Sequence, residues 1–136
     1  MAYDPLAALH RLRGLEVLEA RRVLADGLAA ARQAEAAAAE AAARLEVEAA
    51  VAGASPGGAA DYALWAPVGR AARDRHGAEQ ARAAATVEVS QATLADTRAA
   101  ENAVEKLLDL RREIAAATAA RRRQALLDEI GIRRPR

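Results

Sequence analysis

His10 and His76 are the residues with the strongest claim to chemistry, because imidazole is the usual general base and a common metal ligand. They fall on two separate predicted helices, and pairing those helices as a hairpin sets them tens of ångströms apart. Neither an acid–base couple nor a ligand pair results, and two solvated histidines are expected. The chain has no cysteine, which removes thiolate nucleophiles, disulfides and Cys-ligated zinc or iron–sulfur clusters. The run Gly53-Ala54-Ser55-Pro56-Gly57-Gly58 lacks the Lys-Ser/Thr pair that a phosphate loop needs and reads as a turn. No catalytic, cofactor-binding or metal residue is expected, and no enzymatic activity.

The residues left with something to do are binding candidates. Leu12, Leu15 and Leu18 advance by three and project at about 120°, 60° and 0°, away from the main apolar stripe near about 220°, so one partner helix cannot cover all three. Leu107, Leu110 and Ile114 widen the apolar face at the other end of the chain. An antiparallel hairpin joins those two segments, and exposed leucines there mark a binding surface or a third packing element such as a second copy. Residues 111–136 carry eight basic and three acidic groups, whereas 1–60 and 61–110 each carry six and eight. The basic end suits an acidic protein partner, a solvated face or a helix dipole. Nucleic acid is not expected, since the net charge is only +1 and no aromatic residue interleaves the arginines. Tyr62 and Trp65, spaced i, i+3 after the turn, either pack over it or anchor a partner there.

These residues must be positioned by helices. Alanine supplies 42 of 136 residues, with no Phe, one Trp and two Tyr, a composition that favours helix and cannot fill a globular core. The expected fold is all-α: a single domain of two long helices forming an antiparallel coiled-coil hairpin, elongated and closed by a turn at about 53–60. The first helix covers about 4–52, with Asp4 as N-cap and Pro5 at the first helical position. The second covers about 61–130, with a kink near Pro67 or a short separate helix at 61–66, and a basic tail follows at 131–136. Projected at 100° per residue, Leu6, Leu9, Val17, Leu24, Leu28, Ala31, Ala38, Ala42, Leu45 and Ala49 form one seam. Ala83, Val87, Ser90, Leu94, Thr97, Val104, Leu108, Ala115 and Ala125 form the other, diluted by Glu101 and Arg111. No apolar run reaches a membrane span and no signal peptide is visible, so a cytoplasmic protein without membrane insertion is expected.

The terminal segments carry a resemblance. Leu6-Ala7-Ala8-Leu9-His10-Arg11-Leu12-Arg13, followed by Glu16, Glu19 and Ala20, resembles the opening segment of the FliJ family of the bacterial flagellar export apparatus and of its injectisome counterpart, the YscO family. Ala103-Val104-Glu105-Lys106-Leu107, Arg111-Arg112-Glu113, Arg121-Arg122-Arg123-Gln124 and Asp128-Glu129 resemble its closing pattern. The chain departs from that family in a short, alanine-heavy first arm and few exposed aromatics. The resemblance implies a stalk of type III protein secretion, at the inner-membrane export apparatus, that binds the hexameric export ATPase through its joined termini. It implies further contacts with the export-gate membrane protein and with export chaperones. On this reading the ATPase end comprises Leu9, Leu12, Arg13, Leu15, Leu18, Leu107, Leu110, Arg111, Arg121, Arg122 and Arg123, and the gate contact comprises Tyr62 and Trp65. A structural coiled-coil tether or scaffold with no ATPase partner is the alternative.

Overall fold

A computed structural model describes residues 3–132. They form two helices, α1 (Pro5–Ala54) and α2 (Gly58–Ile132), packed on one another as an all-α hairpin, with no strand among the described residues. Of the basic tail expected at 131–136, Gly131 and Ile132 belong to α2 and the arginines lie outside the described residues. α1 begins as its capping residue dictates: the Leu6 and Ala7 N–H groups donate to Asp4 Oδ1 at 3.1 and 3.4 Å, satisfying donors that no preceding turn can reach.

The turn is shorter than the glycine count suggests, and Gly53 and Ala54 remain helical. The Gly58 N–H donates to the Ser55 carbonyl at 3.1 Å, with Pro56 and Gly57 as the central residues. Gly57 has φ +76°, so this is the backbone of a type II turn, with proline first and a left-handed residue second. Gly58 is needed for space: a Cβ there would lie 2.6 Å from the Ala52 carbonyl oxygen and 2.9 Å from its Cα. Four residues therefore reverse the chain.

α2 runs unbroken through Pro67, in place of a short separate helix at 61–66. Pro67 leaves the Ala63 carbonyl without its helical donor, but both residues lie on the exposed face, where a carbonyl open to solvent costs far less than a buried one.

Two compact units divide the hairpin. The terminal unit comprises Met1–Val17 with Asp96–Arg136, and the turn unit comprises Leu18–Ala95. In the terminal unit, Leu6, His10, Arg13 and Val17 of α1 are buried or half-buried, as are Thr97, Glu101, Val104 and Leu108 of α2. In the turn unit the covered positions are Ala20, Leu24, Gly27, Ala31, Ala34, Ala38, Ala41 and Leu45, with Ala83, Val87, Ser90 and Leu94 opposite. Both series advance by alternating steps of three and four, the repeat of a coiled-coil seam. Ala42 and Ala49, expected in the first seam, are exposed, because a 3.5-residue repeat departs steadily from a straight-helix projection; Ala115 and Ala125, expected in the second, are exposed because they lie beyond Arg111, which already faces the start of α1. Small residues let the axes approach: a Cβ on Gly27 would meet Val87 Cγ2 at 3.8 Å and Ser90 Oγ at 3.9 Å. The buried Ser90 hydroxyl donates to the Thr86 carbonyl at 2.9 Å and so carries no unmet polar cost.

Candidate partner-binding surfaces

In the terminal unit an ion pair between the helices marks the register. Arg111 donates from Nη1 to Asp4 Oδ1 at 2.9 Å and from Nη2 to Oδ2, a two-pronged pairing that also holds the cap of α1. The Arg111 hydrogen bond holds the Asp4 carboxyl well below the usual carboxylate range; desolvation opposes the shift, and the Ala7 and Leu6 amides add to it. The same hydrogen bond raises the Arg111 guanidinium above its ordinary value.

Residue 111 thus faces residue 4, and α2 continues with no segment of α1 beside it. Every residue from 112 to 132 is exposed except half-buried Thr118, whose hydroxyl donates to the Ile114 carbonyl at 2.8 Å. This unpaired stretch carries Arg121, Arg122 and Arg123, with Leu126, Leu127 and Ile130 beyond them.

The terminal unit brings together most of the expected ATPase-end residues, in different states. Leu12, Leu15, Leu107, Leu110 and Ile114 are exposed, Leu15 at 62%. Leu9 is half-buried. Arg13 is half-buried on the α1 seam and donates to Glu16 Oε2 at 2.8 Å. Arg111 is occupied by Asp4, so its role is an internal clamp. Leu18, also exposed, belongs to the turn unit.

In the turn unit, Tyr62 and Trp65 share a side of α2, with ring centroids 6.0 Å apart and planes tilted by 44°. Trp65 lies over Gly69, where an added Cβ would come within 2.6 Å of the ring and 3.0 Å of Leu45 Cδ2. That seating fixes the indole while leaving it half-buried. Two open pockets flank it. One, of about 360 Å³, is lined by Glu48, Val51, Ala52, Ser55, Gly58, Asp61, Tyr62 and Trp65. The other, of about 290 Å³, is lined by Glu40, Arg44, Trp65, Val68 and His76 among others. The indole thus both packs and presents a face.

His76 Nδ1 lies 3.1 Å from Glu79 Oε2 in the turn unit, while His10 belongs to the terminal unit. No group of three or more potential metal ligands occurs among the described residues, and no helix among them is long and apolar enough to cross a membrane.

Two features escaped the sequence reasoning. The Asp4–Arg111 pair could have been found by reflecting the chain about Gly57. The carboxylates beside Tyr62 and Trp65 could have been found from charge counted in a window centred on the turn, since no basic residue lies between Arg44 and Arg70. Compared with known proteins, the chain matches no family model, no curated protein and no solved structure.

Proposed function

We propose that this chain is a non-enzymatic helical stalk of a bacterial flagellar type III protein export apparatus, cytoplasmic and peripheral at the inner membrane. It binds the export ATPase hexamer through its terminal unit, and it contacts the export gate and the export chaperones elsewhere. The observation that carries the reading is the state of the terminal unit: exposed leucines on both helices beside a stretch of α2, 112–132, that has no partner helix and bears three consecutive arginines. Leucines left in water at one end of a helix pair gain by insertion into another protein. The nearby arginines speed encounter with an acidic surface. The resemblance of the terminal segments to the FliJ family supplies the identity of that partner.

The test is stimulation of purified export ATPase. Leu12→Ala with Leu15→Ala removes apolar anchoring, worth about 1.5–3 kcal/mol for each leucine fully buried on binding, and weakens association at least about tenfold. Arg121→Glu with Arg123→Glu slows association and changes its salt dependence. Both variants retain their helicity by circular dichroism. If neither folded variant differs from the parent, the terminal unit is not the ATPase site.

A second reading, a coiled-coil tether with no ATPase partner, is favoured by the exposed Val23, Val47, Val51, Leu64, Val68 and Val89 of the turn unit. These give the hairpin apolar contacts away from its termini. A discrete dimer in sedimentation at micromolar concentration supports the tether, and a monomer supports the stalk.

A further inference from the structure

The turn unit contains a set of groups that points to one kind of ligand. From Leu45 to Gly69 there are three acidic residues, Glu46, Glu48 and Asp61, and no basic one. Two of them, Glu48 at the end of α1 and Asp61 in the first turn of α2, line the same pocket of about 360 Å³ as Tyr62 and Trp65. Neither carboxylate is paired with a basic side chain among the described residues. Ser55, exposed Val51 and half-buried Ala52 also line the pocket.

Each component selects for a cation on an aliphatic stem. Aromatic faces attract ammonium and guanidinium groups through the ring quadrupole, and carboxylates beside the rings add charge and hydrogen-bond acceptors. An apolar wall suits the methylenes of a lysine or arginine, which bury their stems while the head stays polar. The size lies near the lower end of ligand pockets, about 300–1,000 Å³. The partial positive charge of the α2 N-terminus is offset by the opposite end of α1, which closes against it at Gly58. A hard metal ion is a poorer fit, since two carboxylates on separate helices fall far short of six to eight oxygen ligands. The neighbouring pocket of about 290 Å³ is lined by Arg44 as well as Glu40, so its lining lacks the unbalanced negative charge of the first.

We propose that the pocket formed by Glu48, Asp61, Tyr62 and Trp65 receives a single arginine or lysine side chain from a basic segment of another protein. The inference stands on the turn unit alone and does not require the stalk reading; variants here leave ATPase stimulation unchanged, so the two fail separately.

Trp65 is the only tryptophan, so its emission reports on the pocket directly. The probe is a blocked nonapeptide of alternating glycine and arginine, titrated into the full-length protein, with its glutamate counterpart as control. The expected result is a saturable change in emission with the arginine peptide only. Glu48→Gln with Asp61→Asn weakens that binding about five- to tenfold. Glu46→Gln, which removes one charge from a carboxylate outside the pocket, leaves the affinity within about twofold. The proposal is overturned by no saturable change, by equal binding of the glutamate peptide, or by equal losses in the Glu46 and Glu48–Asp61 variants. It is also overturned if emission depends on the protein's own concentration and the double variant abolishes that dependence, since the occupant is then a second copy.

Discussion

The seating of Trp65 on Gly69 gives a comparison whose sign follows from the structure. Two glycines of α2, Gly69 and Gly77, lie in the helix interior, where replacement by alanine gains about 1 kcal/mol of intrinsic helix stability. At Gly77 the new methyl meets nothing within 4 Å, so Gly77→Ala stabilises by about that full amount. At Gly69 the same methyl would sit 2.6 and 2.9 Å from Cη2 and Cζ3 of Trp65 and 3.0 Å from Leu45 Cδ2. The ring is rigid and must move as a whole, and overpacking of this kind costs about 1–3 kcal/mol. Offset by the helix gain, Gly69→Ala comes out destabilising by about 1 kcal/mol, a difference of about 2 kcal/mol between two identical substitutions in one helix. Urea unfolding followed by far-ultraviolet circular dichroism resolves that difference, provided the denaturant slope is unchanged. Trp65 emission shifts in Gly69→Ala and not in Gly77→Ala. If both variants gain stability equally and neither changes the emission, the indole does not rest on Gly69, and the aromatic side of the acidic pocket is lost with it.

Two further outcomes follow from single contacts. The Asp4 carboxyl is held below its ordinary value of 3.8, so the Arg111 pairing contributes stability above about pH 4 and loses it as the pH falls through the lowered value. The gap between parent and Asp4→Asn in urea unfolding therefore narrows steadily below pH 4, and a gap independent of pH would refute the pairing. Pro67 is exposed within α2, so Pro67→Ala restores a donor to the Ala63 carbonyl and stabilises the protein by about 1–3 kcal/mol; an unchanged unfolding midpoint would show that the helix had already adapted.

The fold class was legible because alanine, leucine, arginine and glutamate leave little but helix, and because Ser55-Pro56-Gly57-Gly58 admits little but a turn. The seam was legible only in part. A 3.5-residue repeat drifts about 20° per heptad from a straight projection, and Leu6 to Ala52 spans more than six heptads. By the far end of α1 the projection has rotated off the seam, selecting Ala42 and Ala49 where Ala41 and Ala52 are the half-buried residues. Alanine hides the error, because a shift by one position usually lands on another alanine. The leucines could not be disguised in this way, and Leu12, Leu15, Leu107 and Leu110 are as exposed as their angles require.

Charge was legible only at the scale on which it was counted. Blocks of 1–60 and 61–110 each hold two more acids than bases and so conceal that the bases stop at Arg44 and resume at Arg70. A tight turn makes that interval a single locus, because Gly58 approaches the Ala52 backbone and sets Glu48 and Asp61 around one pocket. The converse holds at the other end. Arg111 counts toward the basic total of 111–136, yet Asp4 takes up its charge, so the positive charge available to a partner begins beyond the clamp, at Arg121 to Arg123. The charge that each unit presents at its surface is therefore set by which side chains the hairpin register pairs, more than by the sum of charges in each segment.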